Sequence, residues 1–210
     1  SDGIACHYGY DTLGRLQTIS QGQLECTLEY NSEGLLEHTT TRDAERYVRT
    51  TQTYDPLGRQ HRRTLDANGE IRVLVLKWRD GKNLESRTLY RDNDDDEDAF
   101  IRKEVFGYDE LDRLTTHDYE GDWDIEEEDG ERWQALPRNA AGRSIIAQTF
   151  DFDALDNLSR CRTDFADGER DTARFTYAED SSFQLTKVTH TLLADYRAEQ
   201  TFHYDARGNM

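Results

Sequence analysis

The sequence predicts an all-β chain: antiparallel β-hairpin repeats forming a continuous curved or spiralling sheet. Three observations carry that expectation. One phrase recurs along the chain: an aromatic, an acid, two variable residues, a turn residue, a basic or polar residue and usually an apolar one. The segments before many copies alternate apolar and polar residues with a period of two. No stretch shows a 3.6-residue apolar face over a helical length.

The phrase reads Tyr10-Asp11-Thr12-Leu13-Gly14-Arg15-Leu16, then Tyr54-Asp55-Pro56-Leu57-Gly58-Arg59, then Tyr108-Asp109-Glu110-Leu111-Asp112-Arg113-Leu114. It returns as Phe152-Asp153-Ala154-Leu155-Asp156-Asn157-Leu158 and as Tyr204-Asp205-Ala206-Arg207-Gly208-Asn209-Met210. Looser copies run from Tyr30 to Leu36 and from Leu65 to Ile71. The acid predicts an Asx-turn, its carboxylate folded onto backbone N–H groups two residues on. Gly14, Gly58 and Gly208 fill a slot that asks for positive φ, and Asp112 and Asp156 replace them as one of the few residue types that tolerate it. The aromatic ends one strand and the apolar residue begins the next, so the pair is expected on one buried face.

The preceding strands follow in order. Leu24, Cys26, Leu28 and Tyr30 alternate with Glu25, Thr27 and Glu29. Residues 71–78 are apolar on both parities, which predicts a strand covered on two sides. Ile146, Gln148, Phe150 and Phe152 share a parity, as do Ala173, Phe175 and Tyr177, and Gln200, Phe202 and Tyr204. Successive aromatics lie 30−10 = 20, 54−30 = 24, 108−54 = 54, 152−108 = 44 and 204−152 = 52 residues apart. A sheet of hairpins with loops of variable length fits these intervals better than a propeller or leucine-rich array.

Only 35% of the chain is hydrophobic, mean hydropathy is −0.97 and 33% is charged, values that lean toward disorder. The alternation and the 11 Tyr, 8 Phe and 3 Trp argue for a thin ordered wall instead. With 26 basic and 44 acidic residues the net charge is 26−44 = −18, which excludes nucleic acid as a partner and disfavours anionic membranes. No apolar run approaches the roughly 20 residues of a spanning helix. Cys6, Cys26 and Cys161 are odd in number and scattered, so no fully paired disulfide framework is expected. The reading is a single segment, 1–210, cut from a longer repeat protein, with no signal peptide and with inserted acidic loops near 91–99 and 119–133. Its raw sheet edges invite self-association.

Candidate chemistry is sparse, and no catalytic, cofactor-binding or metal-ligating residue is assigned. Asp92, Asp94, Asp96 and Asp98 space oxygens like the start of a calcium loop, but position six is Glu97 and position twelve Lys103, so a solvated loop is expected. Trp123 and Trp133 flank Asp124, Glu126, Glu127, Glu128 and Asp129, with Asp122 just before, which raises a carbohydrate-binding or carboxylate-hydrolase alternative. His7, His38, His61, His117, His190 and His203 lack zinc spacing. Ser144, Ser181 and Ser182 lack a nucleophile-elbow context. His203 is expected to face away from the aromatic side of its strand.

The phrase resembles the YD repeat of Rhs-family proteins, on the copies at Tyr10, Tyr54, Tyr108, Phe152 and Tyr204. Residues 152–158, Phe165-Ala166-Asp167-Gly168, Gln184-Leu185-Thr186 and 204–210 are similar to the repeat region of polymorphic Rhs toxins and insecticidal toxin-complex C-type subunits. The resemblance implies part of a hollow shell around a C-terminal toxin domain, in a secreted or delivered bacterial toxin component. It implies a non-enzymatic packaging role, with no cofactor, and with the remaining repeats and the enclosed toxin as partners. In that family a core-associated segment uses aspartates for cleavage, and no segment here matches it. The acidity is expected to help hold a basic cargo.

Overall fold

The turn phrase lies where each strand hands over to its neighbour, and the hydrogen-bond register follows from it. The structure is a computed structural model. It describes residues 5–79, 81–91, 100–121, 125–126, 132–133, 136–179, 183–205 and 207–209, with backbone alone for 125–126 and 132–133. The acidic run 92–99 therefore lies outside the described residues, as do 122–124, 127–131, Ser181 and Ser182. Strand pairings among the described residues are antiparallel, and the chain divides into two units, Ser1–Ile101 and Arg102–Met210.

The first unit runs β1 (Cys6–Tyr10), β2 (Leu16–Gln21), β3 (Leu24–Tyr30), β4 (Leu36–Arg42), β5 (Tyr47–Tyr54), β6 (Gln60–Ala67), β7 (Glu70–Trp78) and β8 (Leu84–Tyr90), each paired with the next. Tyr10 faces Leu16, Tyr30 faces Leu36, Tyr54 faces Gln60 and Trp78 faces Leu84. One extra residue follows each such pair: Thr18, not Gln17, faces Gly9, and the same shift recurs in the other hairpins. A bulge at every repeat adds local twist to the sheet.

Register fixes the faces. Thr40, Val73, Ser86 and Thr88, the buried residues of β4, β7 and β8, share one face with Thr18, Thr27, Thr51 and Thr64. The exposed Tyr8, Leu24, Val48 and Leu65 share the other. Within β3 itself the apolar parity is still the better buried, with Cys26, Leu28 and Tyr30 half-buried and Glu25 and Glu29 exposed. No helix or second sheet occurs among the described residues of this unit, so burial there comes from crowding between neighbouring strands. Only Val73 of β7 is fully buried, and the residues around it are half-buried on both parities, less than the two-sided cover expected.

The second unit holds most of β9 (Phe100–Tyr108), then β10 (Leu114–Gly121), β11 (Ile125–Glu126), β12 (Arg132–Trp133), β13 (Ile145–Phe152), β14 (Leu158–Phe165), β15 (Arg170–Tyr177), β16 (Leu185–Thr189) and β17 (Glu199–Thr201). β10 pairs directly with β13, while β11 and β12 form a separate two-stranded ribbon. Glu104, Thr163, Phe165, Asp171, Ala173 and Val188 are buried on one face. The opposite face carries a lattice of ion pairs: Asp151–Arg160, Lys103–Glu120, Lys187–Glu199 and the half-buried Asp164 with Arg162 and Arg170. Burying Phe165, which is 1% exposed, is worth roughly 1.5–3 kcal/mol, more than a surface ion pair at about 0–1. Apolar packing on the inner face therefore outweighs any one pair on the outer.

Three expectations change. The 65–71 copy is a different turn: strands pair up to Ala67 and Glu70, and Asn68 and Gly69, both at positive φ, make a two-residue hairpin loop. β17 stops at Thr201; Phe202 N–H still donates to Thr186 O at 2.9 Å, but His203 and Tyr204 lie past the strand and His203 has no strand face. Of the 119–133 insert, Tyr119–Gly121 belong to β10.

Candidate functional site

In the first hairpin, Asp11 Oδ1 accepts from the Leu13 and Arg15 N–H groups, both at 2.9 Å, and Arg15 Nε donates to Asp11 Oδ2 at 2.7 Å. Backbone bonds from Asp11 N to Arg15 O and from Gly14 N to Asp11 O close the loop. Asp55 with Leu57 and Arg59 repeats this geometry, as does Asp109 with Leu111 and Arg113. Asp153 and Asp205 do the same with Asn157 and Asn209, whose Nδ2 replaces the guanidinium. The positive-φ slot is held by Gly14, Gly58 and Gly208, and by Asp112 and Asp156 at φ 63° and 65°. The fifth-position partner (Arg15, Arg59, Arg113, Asn157 or Asn209) carries a role that sequence reasoning missed; its four-residue spacing from the acid was the available signal.

The carboxyls respond. The Arg15 N–H holds Asp11 below its ordinary value, against a smaller opposing effect of burial, and the Arg113 N–H does the same for Asp109. Burial raises Asp55, but the Arg59 N–H and guanidinium together outweigh it and the net shift is downward. Asp153 is lowered first by the Asn157 side chain, and Asp205 by the Asn209 N–H.

Neighbouring turns interlock. Tyr30 OH donates to Leu16 O at 2.8 Å while Arg15 stacks on its ring, 4.3 Å from the centroid. Tyr54 OH reaches Leu36 O at 2.6 Å, and Trp78 Nε1 reaches Gln60 O at 2.8 Å with Arg59 over its ring. In the second unit Arg113 lies 4.8 Å from the Phe152 ring and donates to Asp156 at 2.6 Å, and Tyr177 OH reaches Leu158 O at 2.9 Å. The aromatic that ends one hairpin therefore caps the turn of the hairpin before it. Among the described residues Tyr10 and Tyr204 make no such link to a preceding turn, and Tyr10 is 62% exposed.

Two further copies go unnoticed in the sequence or differ from it. Asn31 accepts from Glu33 and Leu35 N–H without a basic fifth residue. Asn139-Ala140-Ala141-Gly142-Arg143 makes the same turn, with Arg143 N donating to Asn139 Oδ1 at 2.8 Å. Here the acid is Asn, so Arg143 turns to Asp195 Oδ2 at 2.7 Å, where Asn139 Nδ2 also donates, and to Asp167. Asp195 is 5% exposed. Alongside, Asp171 accepts from His190 Nδ1 at 2.8 Å and from Thr191 and Leu192 N–H, with His190 stacked on Tyr196. Burial pushes Asp171 up, but these donors win and the carboxyl is lowered. Glu104 is similarly buried against His117 Nε2 at 2.9 Å and Arg102 at 3.0 Å. These are satisfied polar networks holding strands and the 190–198 loop together.

Among the described residues no group of three or more His, Cys, Asp or Glu is gathered to hold a metal ion, and Cys6, Cys26 and Cys161 are free thiols. Among the described residues no helix is long and apolar enough to cross a membrane. An open polar cavity of about 490 Å³ between Thr27, Glu29, Thr40, Arg42, Arg49 and Asp66 pairs no nucleophile with a base.

No protein-family model and no curated protein matches the sequence. Among solved structures, TcdB2-TccC3 without its hypervariable C-terminal region matches over 100% of this chain and 10% of that chain, at TM-score 0.71 and 14% identity. TcdB2-TccC3 itself matches over 96% of this chain and 10% of that chain, at TM-score 0.68 and 15% identity. A porin-like protein from Bacteroides uniformis ATCC 8492 covers 91% of this chain and 81% of that chain at 15% identity, but its TM-score of 0.38 is too low to bear on the fold. This chain thus spans about a tenth of the length of the TcdB2-TccC3 structures it matches. At such identities the likeness is one of fold: an all-β, antiparallel hairpin sheet.

Proposed function

We propose that residues 1–210 form one non-enzymatic wall segment of an Rhs/YD-repeat toxin shell that encloses a C-terminal toxin domain. The observation that carries the reading is the interlock, in which the polar residues of the phrase are spent on building the wall. Asp11, Asp55, Asp109, Asp153 and Asp205 fix turns, Arg15, Arg59 and Arg113 neutralise the first three while Asn157 and Asn209 donate to the other two, and Tyr30, Trp78, Phe152 and Tyr177 cap the first four turns. The match to TcdB2-TccC3, a protein with a hypervariable C-terminal region, supports a shell with variable contents. The surplus charge of −18 favours a basic cargo held by long-range attraction.

Limited proteolysis of the full parent protein tests enclosure. The C-terminal domain should resist digestion in the parent and be cut readily when expressed alone. Equal digestion rates in both would refute the reading. Cargo retention that ignores salt between 0.05 and 1 M, a range over which Debye screening changes several-fold, would remove the electrostatic part only.

A further inference from the structure

Arginines elsewhere in the sheet close ion pairs with carboxylates beside them, as Arg72 does with Glu70, Arg113 with Asp109 and Arg160 with Asp151. Arg42, Arg46 and Arg49 close none among the described residues, and all three line one open cavity of about 490 Å³ in the first unit. Register explains why. Arg49 of β5 stands directly opposite Asp66 of β6, but that carboxylate already accepts from Tyr47 OH at 3.0 Å and from Gly69 N–H at 2.8 Å. Arg42 of β4 lies between Glu25 of β3 and Tyr47 of β5 and pairs with neither side chain. Thr40 faces Arg49 and Arg42 faces Tyr47, so the two arginines are diagonal neighbours on one face, within reach of each other's long side chains. The 43–46 loop sets Arg46 alongside on a fixed backbone. Asp43 Oδ1 accepts from the Glu45 and Arg46 N–H groups at 2.9 and 2.8 Å, and Asp43 N–H donates to Arg46 O at 2.9 Å.

We infer that Arg42, Arg46 and Arg49 form a binding site for a compact dianionic oxyanion, a phosphate ester or a small dicarboxylate. Guanidinium forks match the paired oxygens of either group. Arg42 and Arg49 clamp the anion from adjacent strands, whose ladder fixes their spacing, and Arg46 closes on it from the loop. Glu29 and Glu45 also border the cavity and repel an extended polyanion, so the ligand is a small one. The chain's charge of −18 does not forbid this, because charges more than about 8–10 Å away are largely screened at physiological salt and the three nearby cations set the local potential. The site stands whether or not the wall reading holds.

Titration of the full chain with inorganic phosphate and with malonate at pH 8, where both are dianions, tests it on the arginine Nε–H signals by NMR. At least one probe should bind saturably, moving the Arg42 and Arg49 signals first. A preference for phosphate makes the ligand a phosphate ester, and a preference for malonate makes it a dicarboxylate. Arg42→Gln or Arg49→Gln should weaken binding about tenfold or more, the worth of a charge-assisted hydrogen bond. Glu29→Gln should tighten it about twofold or more by removing a repelling charge. Tyr47→Phe should weaken it, because Asp66 is then released to take Arg49. Arg160→Gln, in the second unit, should change nothing. The three arginines are exposed, so their variants should keep the wild-type unfolding midpoint. No saturable binding of either probe overturns the inference, as does equal affinity for the monoanion acetate. Shifts spread over the surface away from these arginines, or equal losses for Arg160→Gln and Arg42→Gln, overturn it too.

Discussion

Gly58 gives the sharpest test of how the turns are held. Its φ is +76°, and a Cβ built there would touch only Leu35 Cδ1 at 3.8 Å, an ordinary van der Waals contact. Any cost of substitution is therefore backbone cost, uncontaminated by collision. A non-glycine residue in the left-handed region loses about 1–2 kcal/mol, and a β-branched side chain sits at the upper end. For a chain of this size about 1 kcal/mol moves Tm by roughly 2–4 °C, so Gly58→Val should lower it by roughly 4–8 °C. Gly58→Asp supplies the internal control, because Asp112 and Asp156 already occupy the same slot at φ 63° and 65°. It should lower Tm by less than about half as much. Thermal unfolding followed by circular dichroism, with urea midpoints alongside, measures both. An unchanged Tm for the valine variant, or equal losses for valine and aspartate, would refute the argument.

Acid is the second lever. Asp11, Asp55, Asp109, Asp153 and Asp205 are all lowered from 3.8 in the folded chain, so their contribution is present above that value and lost as pH falls through the lowered one. Urea midpoints should hold from pH 7 to about 5 and fall in acid, and Asp55→Asn should be less stable than wild type at pH 7 but converge with it as pH falls through the lowered value; a gap that persists in acid contradicts this. Asn139→Asp should pull Arg143 back to its own turn and set a second carboxylate beside Asp195, so amide exchange over 190–198 should quicken about tenfold or more, equivalent to about 1.4 kcal/mol. Unchanged exchange there would show that Asp195 does not hold the loop. Burial pushes the Cys161 thiol up while Cys6 is exposed, so iodoacetamide at pH 8 should label Cys6 first by mass spectrometry; equal rates would contradict the burial.

Strand ends were the most legible feature, because each Asp-x-x-Gly or Asp-x-x-Asp phrase specifies a backbone path by itself. What partners each residue takes was less legible. The Arg at the fifth position reads as a solvated charge until the carboxylate beside it is placed. The Asn139 turn escaped notice because Arg138 stands where the aromatic should be. The opposite error at Asp66 has a clear origin: Asn68-Gly69 is itself a strong two-residue turn and overrides the longer phrase. Period-two reading also assigns carboxylates to solvent, so Glu104 and Asp171 were not anticipated on a buried face. Their His partners come from elsewhere, His117 from the neighbouring strand β10 and His190 from the loop that follows β16, which no local pattern reveals. Gly9 and Gly107 likewise look unremarkable, yet a Cβ on either would collide with the hydroxyl of Thr18 or Thr116.

The cap of each turn by the aromatic of the following hairpin also constrains how such a sequence can change length over generations. Removing a single strand would carry the next phrase to the far side of its neighbours, where no turn awaits it. Insertions and deletions that keep the fit must come in pairs of strands. The steps from Tyr10 to Tyr30 and from Tyr30 to Tyr54, 20 and 24 residues, give the size of that quantum. Between quanta, the connections on the other side of the sheet are free to lengthen, and it is there that lineages of this wall should diverge first.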